Sequence, residues 1–540
     1  MRDEIRFDNE DLAAKIAADH DRDDDDDHDD EKDDGKKSQS TELVDFVLER
    51  CEVFHDANNE VFARIKSTGE IRRLDSRGMK DWLLAGFYET SQKSARDQSV
   101  REAIATLSGI ARYKGDLLDV HLRVAYHDRA YYLDLGEPGQ NRAVRITPGA
   151  WEVISNPPVP FIRPDSLRPL PEPVSGSINM LFEYINLPAD HRLLVIAWLA
   201  ECLRPNTPFP VLELIGEAGS AKSTTQQIIR RLIDPNASEL RGAPKSVEDV
   251  FIGAGLTHVL SLENISHLAA PMQDALCVLA TGGGHAKRKL YTDADESVIQ
   301  VKRPVVLNGI SVSVTAQDLV DRAVTVDLPL IAERVEKDVL LEQFDKAHAA
   351  ILGGLLDVFA AALARLPRVD LPADQRPRLI EFAKLGVAIA EVMKKKGTVF
   401  LDQFNASRTD AVHRTLDASP AAAALVDWFD ARGRREVEVA LKDLLTEVER
   451  FRPAGAESWP RSAKGFGDVL RRAGPALRQI GIEVRKFGKS VGNIKYRVAA
   501  RRYSPEPSPQ HPQSPQAGAD LGTSGTSGTS PEPISSGVEL

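Results

Sequence analysis

Cysteine is scarce in this 540-residue chain, which contains only three. Cys51, Cys202 and Cys277 lie far apart, form no CxxC pair and have no histidine nearby at metal-ligand spacing. The sequence therefore argues against a disulfide framework and a structural zinc site, and it indicates a reduced, cytoplasmic compartment.

Long apolar runs are also missing. The N-terminal segment MRDEIRFD is charged where a signal peptide has its apolar core. The apolar stretch from Leu193 to Leu203 is too short and too interrupted to span a bilayer. We therefore expect no membrane association.

Net charge is concentrated at one end of the chain. Residues 1–34 hold 17 acidic and 5 basic residues, which accounts for the whole net charge of −12. A block of like charges such as DRDDDDDHDDEKDD does not collapse, so residues 1–40 are predicted to be a disordered acidic tail. This tail either stays solvated or competes with DNA for a basic surface, and the sequence leaves both open.

A chain of this length is too long for a single core and implies several domains. The pattern predicts an α/β protein with the following parts: a small α+β accessory domain at 41–173, a helical collar at 174–208, an ATPase domain with a parallel sheet at 209–331, a helical lid and connector at 332–431, a winged-helix domain at 432–503, and a disordered Pro/Ser/Gly tail at 504–540.

The chain is organised around the segment PVLELIGEAGSAKSTTQQIIRRLID, from Pro210 to Asp234. It is typical of a buried strand, a turn of small residues and a helix, which is the context that a phosphate-binding loop requires. Lys222 would reach the β- and γ-phosphates, and the Ser223 hydroxyl would bind Mg²⁺. A chance turn of small residues is the alternative. The predicted nucleotide-binding residues are Gly216, Glu217, Ala218, Gly219, Ser220, Ala221, Lys222, Ser223 and Thr224.

One loop position departs from the pattern GxxxxGK[ST], because Ala221 stands where the second glycine is expected. A Cβ atom there is tolerable only if the backbone is not at positive φ. We therefore expect an intact loop in which Ala221 avoids the left-handed region.

Polar residues follow the later apolar strands. Glu263 comes directly after the strand from Val259 to Leu262, where a carboxylate holds Mg²⁺ and its water, although its neighbour Asn264 replaces the usual second carboxylate. Asn308 follows a third strand and either orients water near the γ-phosphate or caps a turn. Arg322 precedes a fourth strand, near the edge of the domain, where it could reach the γ-phosphate of a neighbouring subunit.

Basic residues cluster in two segments and suggest contacts with DNA. A glycine-led hairpin carries Lys287, Arg288 and Lys289, which either bind DNA or are ordinary solvated charges. Near the C-terminus, two helices and two basic strands follow the order of a winged helix, which binds DNA or packs on protein. The DNA contacts predicted there are Arg471, Arg472, Lys486, Lys489 and Lys495.

The order of GEAGSAKST, LSLEN, RKLYTD, VVLNG and DLVDRA resembles the ATPase core of AAA+ ring proteins. More narrowly, it is similar to the superfamily 3 helicases and poxvirus-type primase-helicases of phages and mobile elements, over roughly residues 115–500. The resemblance implies that Lys222 and Ser223 are Walker A residues, Glu263 the Walker B acid, Asn308 sensor 1 and Arg322 the arginine finger. It also implies ATP and Mg²⁺ as cofactors and a hexameric ring whose basic hairpin grips single-stranded DNA.

Two kinds of function follow from these features. The first is an ATP-driven DNA helicase or translocase that acts on single-stranded or forked DNA during replication of a phage or mobile element. A separate primase or other replication protein would be its partner, since no primase-like carboxylate cluster or zinc motif occurs upstream. The second is a DNA-binding ATPase switch, which the lone acid Glu263 favours. A scaffold that binds nucleotide structurally is a third alternative.

Overall fold

A computed structural model describes residues 37–288, 296–310, 313–331, 333–372, 376–417, 419–456, 458–490 and 493–500. The predicted tails at 1–40 and 504–540 lie almost entirely outside the described residues. The tip of the basic hairpin, with Lys289, also lies outside them.

The N-terminal unit is a small α+β layer. A helix beginning after the Ser38 cap places Leu43, Phe46 and Val47 on one buried face against a three-stranded antiparallel sheet. Two further helices cover the same core. The elements are α1 (Gln39–Arg50), β1 (Cys51–His55), β2 (Val61–Ile65), β3 (Ile71–Arg73), α2 (Arg77–Ser91) and α3 (Asp97–Lys114).

A second antiparallel sheet follows, with strands in the sequential order of a meander. The turn between its first two strands is formed by Asp128 and Arg129, both at positive φ. The strands are β4 (Val124–His127), β5 (Ala130–Asp134), β6 (Arg142–Thr147) and β7 (Ala150–Ser155). Val124, Tyr131 and Leu133 belong to the core of the central domain, so the segment predicted as one accessory domain, 41–173, comprises two separately packed sheets.

The central domain is built on a four-stranded parallel sheet in the order β13-β8-β12-β9. Every residue of β8 is buried, as expected for a strand covered on both faces. After a 3₁₀ turn (Ile178–Glu183), the elements are α4 (Arg192–Glu201), β8 (Val211–Ile215), α5 (Lys222–Ile233), α6 (Val247–Leu256), β9 (Leu260–Leu262), α7 (Ala270–Thr281), β10 (Gly283–Arg288), β11 (Glu296–Val301), β12 (Val305–Gly309), α8 (Gln317–Val320) and β13 (Ala323–Asp327).

Helices then pack on the sheet: α9 (Lys337–Arg365), α10 (Ile380–Val392) and α11 (Gly397–Asp417). All three helices lie within the segment predicted as a helical lid and connector, 332–431. Helix α9, together with the turn to Arg368, is long and apolar enough to cross a membrane. More than half of that apolar window is buried inside the structure, which is typical of a core helix.

The C-terminal unit has a three-stranded antiparallel sheet in the order β14-β16-β15. The segment EVEVALKDLLTEV forms a short strand followed directly by a helix. The elements are α12 (Pro420–Ala431), β14 (Val437–Ala440), α13 (Leu441–Val448), α14 (Ala463–Gln479), β15 (Ile482–Ser490) and β16 (Asn493–Ala500).

Alternation along the parallel strands divides the interior into two cores. Leu212, Leu214 and Val306 face the core shared with α4, α9 and α10. Val211 and Leu307 face the opposite core, which is shared with α6, α7 and the C-terminal unit. The central sheet is therefore covered on both faces, and the carboxyl ends of its strands meet at one edge.

Candidate nucleotide-binding site

The loop between β8 and α5 needs glycine at its first position. Gly216 has φ of +147°, and a Cβ atom there would lie 2.7 Å from both the Leu328 carbonyl oxygen and Ser220 Oγ. Gly219 also has positive φ, at +92°. Glycine adopts such conformations at little steric cost, which explains both residues.

Ala221 corrects an expectation from the sequence. Its φ of 59° and ψ of 27° lie in the left-handed region, so the prediction that it avoids positive φ was wrong. The backbone adopts the conformation that suits glycine although the residue carries a Cβ atom. Such a conformation costs an alanine roughly 1–2 kcal/mol, which the surrounding loop must offset.

Lys222 folds back over the loop. Its Nζ atom donates to the carbonyl oxygens of Gly216 at 2.8 Å and Glu217 at 2.7 Å. Partial burial lowers the pKa of Lys222, and the nearby Asp327 carboxylate acts in the opposite direction. A lysine that is held by neutral carbonyls at the loop can exchange them for an anionic ligand.

The first turn of α5 is open to a ligand. Ala221 occupies the N-cap position and supplies no side-chain hydrogen bond to the first N–H groups of the helix. Ser223 and Thr224 are half-buried at this end. Glu217 and Ala218 are exposed, whereas Ser220 is buried and donates to the Glu217 carbonyl oxygen at 2.9 Å.

Asn186, which the sequence analysis did not identify, anchors the loop to the segment after β13. Its Nδ2 atom donates to the carbonyl oxygens of Ser220 at 3.1 Å and Pro329 at 2.6 Å. Its backbone N–H donates to Thr225 Oγ1 at 3.3 Å. No sequence pattern marks this asparagine, since its partners lie 34 or more residues away.

Glu263 lies at the carboxyl end of β9, as predicted. It is half-buried, and its backbone N–H donates to the Arg241 carbonyl oxygen at 2.7 Å. Within the described part of the chain, the Glu263 carboxylate has no hydrogen bond or ion pair. Asn264 follows with φ of 56° and is exposed. Glu263 is therefore available to a cation or to water.

Asn308 lies at the end of β12, between the strands that carry the loop and Glu263. Its side chain is fully buried and both ends of its amide are engaged. Nδ2 donates to Gln226 Oε1 at 2.6 Å, and Oδ1 accepts from the backbone N–H of Asn264 at 3.0 Å. The Asn308 amide oxygen therefore binds the peptide N–H of the residue that follows Glu263, whereas the predicted water-orienting role stays a prediction.

Arg322 is placed at the start of β13 but points inward. The residue is 9% exposed, and its guanidinium pairs with the Asp318 carboxylate and donates to the Asp318 carbonyl oxygen at 2.7 Å. Asp318 also pairs with the partly exposed Arg378 at 2.5 Å. In this conformation Arg322 does not project toward a neighbouring subunit.

The predicted hairpin exists as the antiparallel pair β10 and β11, and the backbone positions of Lys287 and Arg288 lie near its described end. Their side chains, Lys289 and the side chain of Lys489 lie outside the described residues.

The basic residues of the C-terminal unit fall into separate groups. Arg471 and Lys486 lie around one depression of about 460 Å³ together with Lys442 and Lys464, which the sequence analysis missed. Arg472 lines a different cleft, against α11. Lys495 belongs to the other face of the sheet, because its neighbour Tyr496 is the register partner of Lys486.

These features define a mixed α/β protein with a parallel sheet, in which the glycine loop, Glu263 and the buried Asn308 lie at the same edge of the sheet. Residues 178–413 match the family described as actinomycete integrative conjugative element replication protein, and residues 421–512 match its C-terminal domain, so the two matches together cover more than half of the chain. The chain belongs to this family of replication proteins.

Solved structures of low similarity also align. One is described as the active helicase Cch of SCCmec type IV, at 12% identity and TM-score 0.45, covering 83% of this chain and 92% of that one. Another is the apo NrS-1 C-terminal region, at 12% identity and TM-score 0.39, covering 85% and 98%. These TM-scores are below 0.5, so they assign neither fold nor activity. No curated protein matches the chain.

Proposed function

We propose that this protein is an ATP-driven DNA helicase or translocase that serves replication of an integrative conjugative element. The observation that carries the proposal is the loop at residues 216–223. It combines a helix N-terminus that has no side-chain cap with a lysine whose hydrogen bonds, among the described residues, all go to neutral oxygens. Backbone N–H groups and one ammonium are the groups that bind nucleotide phosphates. We name this loop Walker A and the domain an AAA+ ATPase.

The parallel sheet supports a catalytic site at this edge. Strand β12 separates β8 from β9, and neighbouring strands are about 4.8 Å apart, so the loop and Glu263 are separated by roughly 10 Å. That span suits phosphates and a metal ion. Ser223 and Glu263 fit Mg²⁺, which takes few protein ligands and keeps water and phosphate oxygens. When bound, Mg²⁺ would neutralise charge on the phosphates.

The reaction would be hydrolysis of ATP. A water molecule attacks the γ-phosphorus, the bond to the β–γ bridging oxygen breaks, and ADP leaves with the bonding electron pair. The water loses its proton to a base or to solvent. Glu263 is the residue that we propose orients this water, because its carboxylate has no hydrogen bond or ion pair with the residues that the structure describes. Lys222 would leave the Gly216 and Glu217 carbonyl oxygens to contact the β- and γ-phosphates.

DNA would be engaged at two places. The hairpin with Lys287, Arg288 and Lys289 would grip one strand inside a hexameric ring, through phosphate contacts and not base readout. The C-terminal unit, which we interpret as a winged helix, would contact DNA through Arg471 and Lys486. A separate primase is the expected partner, and the cytoplasm the expected compartment.

A second function, a DNA-binding ATPase switch without processive unwinding, is favoured by one observation. Asn264 replaces the second carboxylate and is turned into the left-handed region, so Glu263 alone must serve both metal and water. Slow turnover would suit a loader or regulator.

Strand displacement on forked DNA distinguishes the two functions when ATP turnover is measured with and without single-stranded DNA. We expect displacement and DNA-stimulated turnover, both abolished in Lys222→Ala, which should lose ATP binding. Stimulated turnover without displacement would support the switch. Absence of ATP turnover in the wild-type protein under every condition would overturn the ATPase proposal.

A further inference from the structure

Gln226 occupies an unusual position for an amide. It lies on α5 one turn after Lys222 and is fully buried. Its Nε2 atom donates to Ser261 Oγ at 2.8 Å and to the Leu262 carbonyl oxygen at 3.0 Å, both on β9. An apolar side chain would fill the same space without the desolvation cost of an amide, so packing alone does not explain this residue.

The oxygen of the same amide is linked, through two hydrogen bonds, to the residue after Glu263. Gln226 Oε1 accepts from Asn308 Nδ2 at 2.6 Å, and Asn308 Oδ1 accepts from the Asn264 N–H at 3.0 Å. The contacts of Gln226 and Asn308 therefore hold the β9 peptide before Glu263 and the peptide after it. A buried network of this kind is rigid, because breaking one member leaves others without partners.

We propose that Gln226 is a positioning residue that fixes the separation between Ser223, at the start of α5, and Glu263, with Asn308 as the intermediate. The inference rests on the proposed ATPase function, in which those two side chains hold Mg²⁺ with the nucleotide. Asn308 then acts through the peptide of Asn264, and neither amide needs to touch the γ-phosphate. Residues that orient ligand-bearing groups in this way commonly change metal affinity 10–100-fold when removed, so about tenfold is expected here.

The neighbouring residue provides a matched control. Gln227 lies on the same helix and is buried to a similar degree, but its amide contacts the Glu239 carboxylate and not β9 or β12. Gln226→Leu and Gln227→Leu make the same chemical change one residue apart. A general weakening of α5 would appear in both variants, whereas loss of positioning would appear only in the first.

The test measures equilibrium binding of a fluorescent ATP analogue, with and without Mg²⁺, together with thermal unfolding. Gln226→Leu is expected to bind the metal-free analogue within about threefold of wild type, since Lys222 and the loop are unchanged. The Mg²⁺ concentration for half-maximal gain in affinity is expected to rise by about tenfold. Gln227→Leu is expected to match wild type in both. Equal behaviour of the two variants would overturn the proposal.

Ser261→Ala covers the case in which Gln226→Leu does not fold. It removes one acceptor of Gln226 Nε2 and leaves the Leu262 carbonyl oxygen, so a smaller rise of about threefold in the Mg²⁺ requirement is expected. No change in folded Ser261→Ala would then count against the proposal. If wild type and Lys222→Ala bind the analogue equally, the ATPase proposal fails. If wild type binds the analogue with Mg²⁺ and Gln226→Leu has the same Mg²⁺ requirement as wild type, only the positioning role fails.

Discussion

Arg322 donates to the carbonyl oxygen of Asp318 at 2.7 Å and pairs with the carboxylate of the same residue, four positions earlier in the chain. The guanidinium group is not fully hydrogen-bonded, because Arg322 Nε is buried without a hydrogen-bond partner among the described residues. An unsatisfied buried donor costs about 1–3 kcal/mol, which lowers the barrier to an outward conformation. If Arg322 is an arginine finger, as the resemblance implies, it would have to be released from Asp318 first.

Mixing two inactive variants tests that role. Arg322→Ala should bind ATP but not hydrolyse it, and Lys222→Ala should not bind ATP. If Arg322 acts on the nucleotide of a neighbouring subunit, mixed rings contain sites with both an intact loop and an intact arginine, so turnover returns in part. ATP hydrolysis measured across mixing ratios reports this. Arg378→Ala, which loses the other partner of Asp318, serves as the control and should keep turnover near wild type. Mixtures that stay inactive would contradict action between subunits.

Ala221→Gly is expected to stabilise the loop. Glycine removes the steric cost at φ of 59°, and its greater freedom in the unfolded chain offsets part of the gain, which leaves roughly 0.5–1 kcal/mol. The unfolding temperature of Ala221→Gly should be higher than that of wild type. The unfolding temperature of Ala221→Val should be lower, because a β-branched residue tolerates positive φ least. Ala218→Gly, at an exposed loop position without positive φ, is the control, and stabilisation there would show that any glycine suffices.

Glu213 should make stability depend on pH. Its buried carboxylate accepts from the N–H groups of Ser313 and Val314 at 2.8 and 3.0 Å, and from Thr325 Oγ1 at 3.0 Å. Burial raises its pKa above the ordinary value of 4.5. The protonated form therefore stabilises the folded chain, and this contribution, complete below about pH 4.5, is lost as the pH rises through the raised pKa.

The substitution Glu213→Gln preserves a side-chain oxygen that accepts hydrogen bonds, and the new side chain stays neutral at every pH. The unfolding temperature of Glu213→Gln relative to wild type is expected to rise as the pH increases from 4.5 to 8. Glu213→Leu leaves two backbone N–H groups unpaired and should cost about 2–5 kcal/mol at pH 4.5, and its deficit relative to wild type should shrink as the pH rises. Thermal unfolding at several pH values measures both. A difference between wild type and Glu213→Gln that is constant with pH would show that Glu213 does not titrate there.

We expect the C-terminal unit to bind DNA mainly through the depression that is lined by Lys442, Lys464, Arg471 and Lys486. Lys464→Ala and Lys486→Ala are expected to weaken binding uniformly across sequences, and each to reduce the salt dependence of binding by about one ion. Lys495→Ala removes a similar charge from the other face of the sheet and should have a smaller effect. Fluorescence anisotropy at several salt concentrations measures the slopes. If the dependence of the binding constant on salt is equal for all three variants, the net charge of the unit and not this surface would explain the binding.

Much of the site could be predicted because it depends on local pattern. Within 25 residues, the sequence predicts each part of the loop's surroundings. The apolar run before Gly216 predicts the strand, the small residues predict the loop, and the amphipathic pattern from Lys222 onward predicts the helix. Parallel strands then align their carboxyl ends, so the positions of Glu263 and Asn308 at a common edge follow from strand order alone.

The tertiary structure decided what those residues contact. The left-handed conformation of Ala221 is imposed by the loop against a residue preference that points the other way. The inward turn of Arg322, the anchor at Asn186 and the bonds of Gln226 to β9 and Asn308 depend on partners whose positions only packing defines. A buried amide leaves no periodic signal in the sequence, because its role is set by partners on strands 35 to 82 residues away: the Ser261 hydroxyl, the Leu262 carbonyl oxygen and the Asn308 side chain.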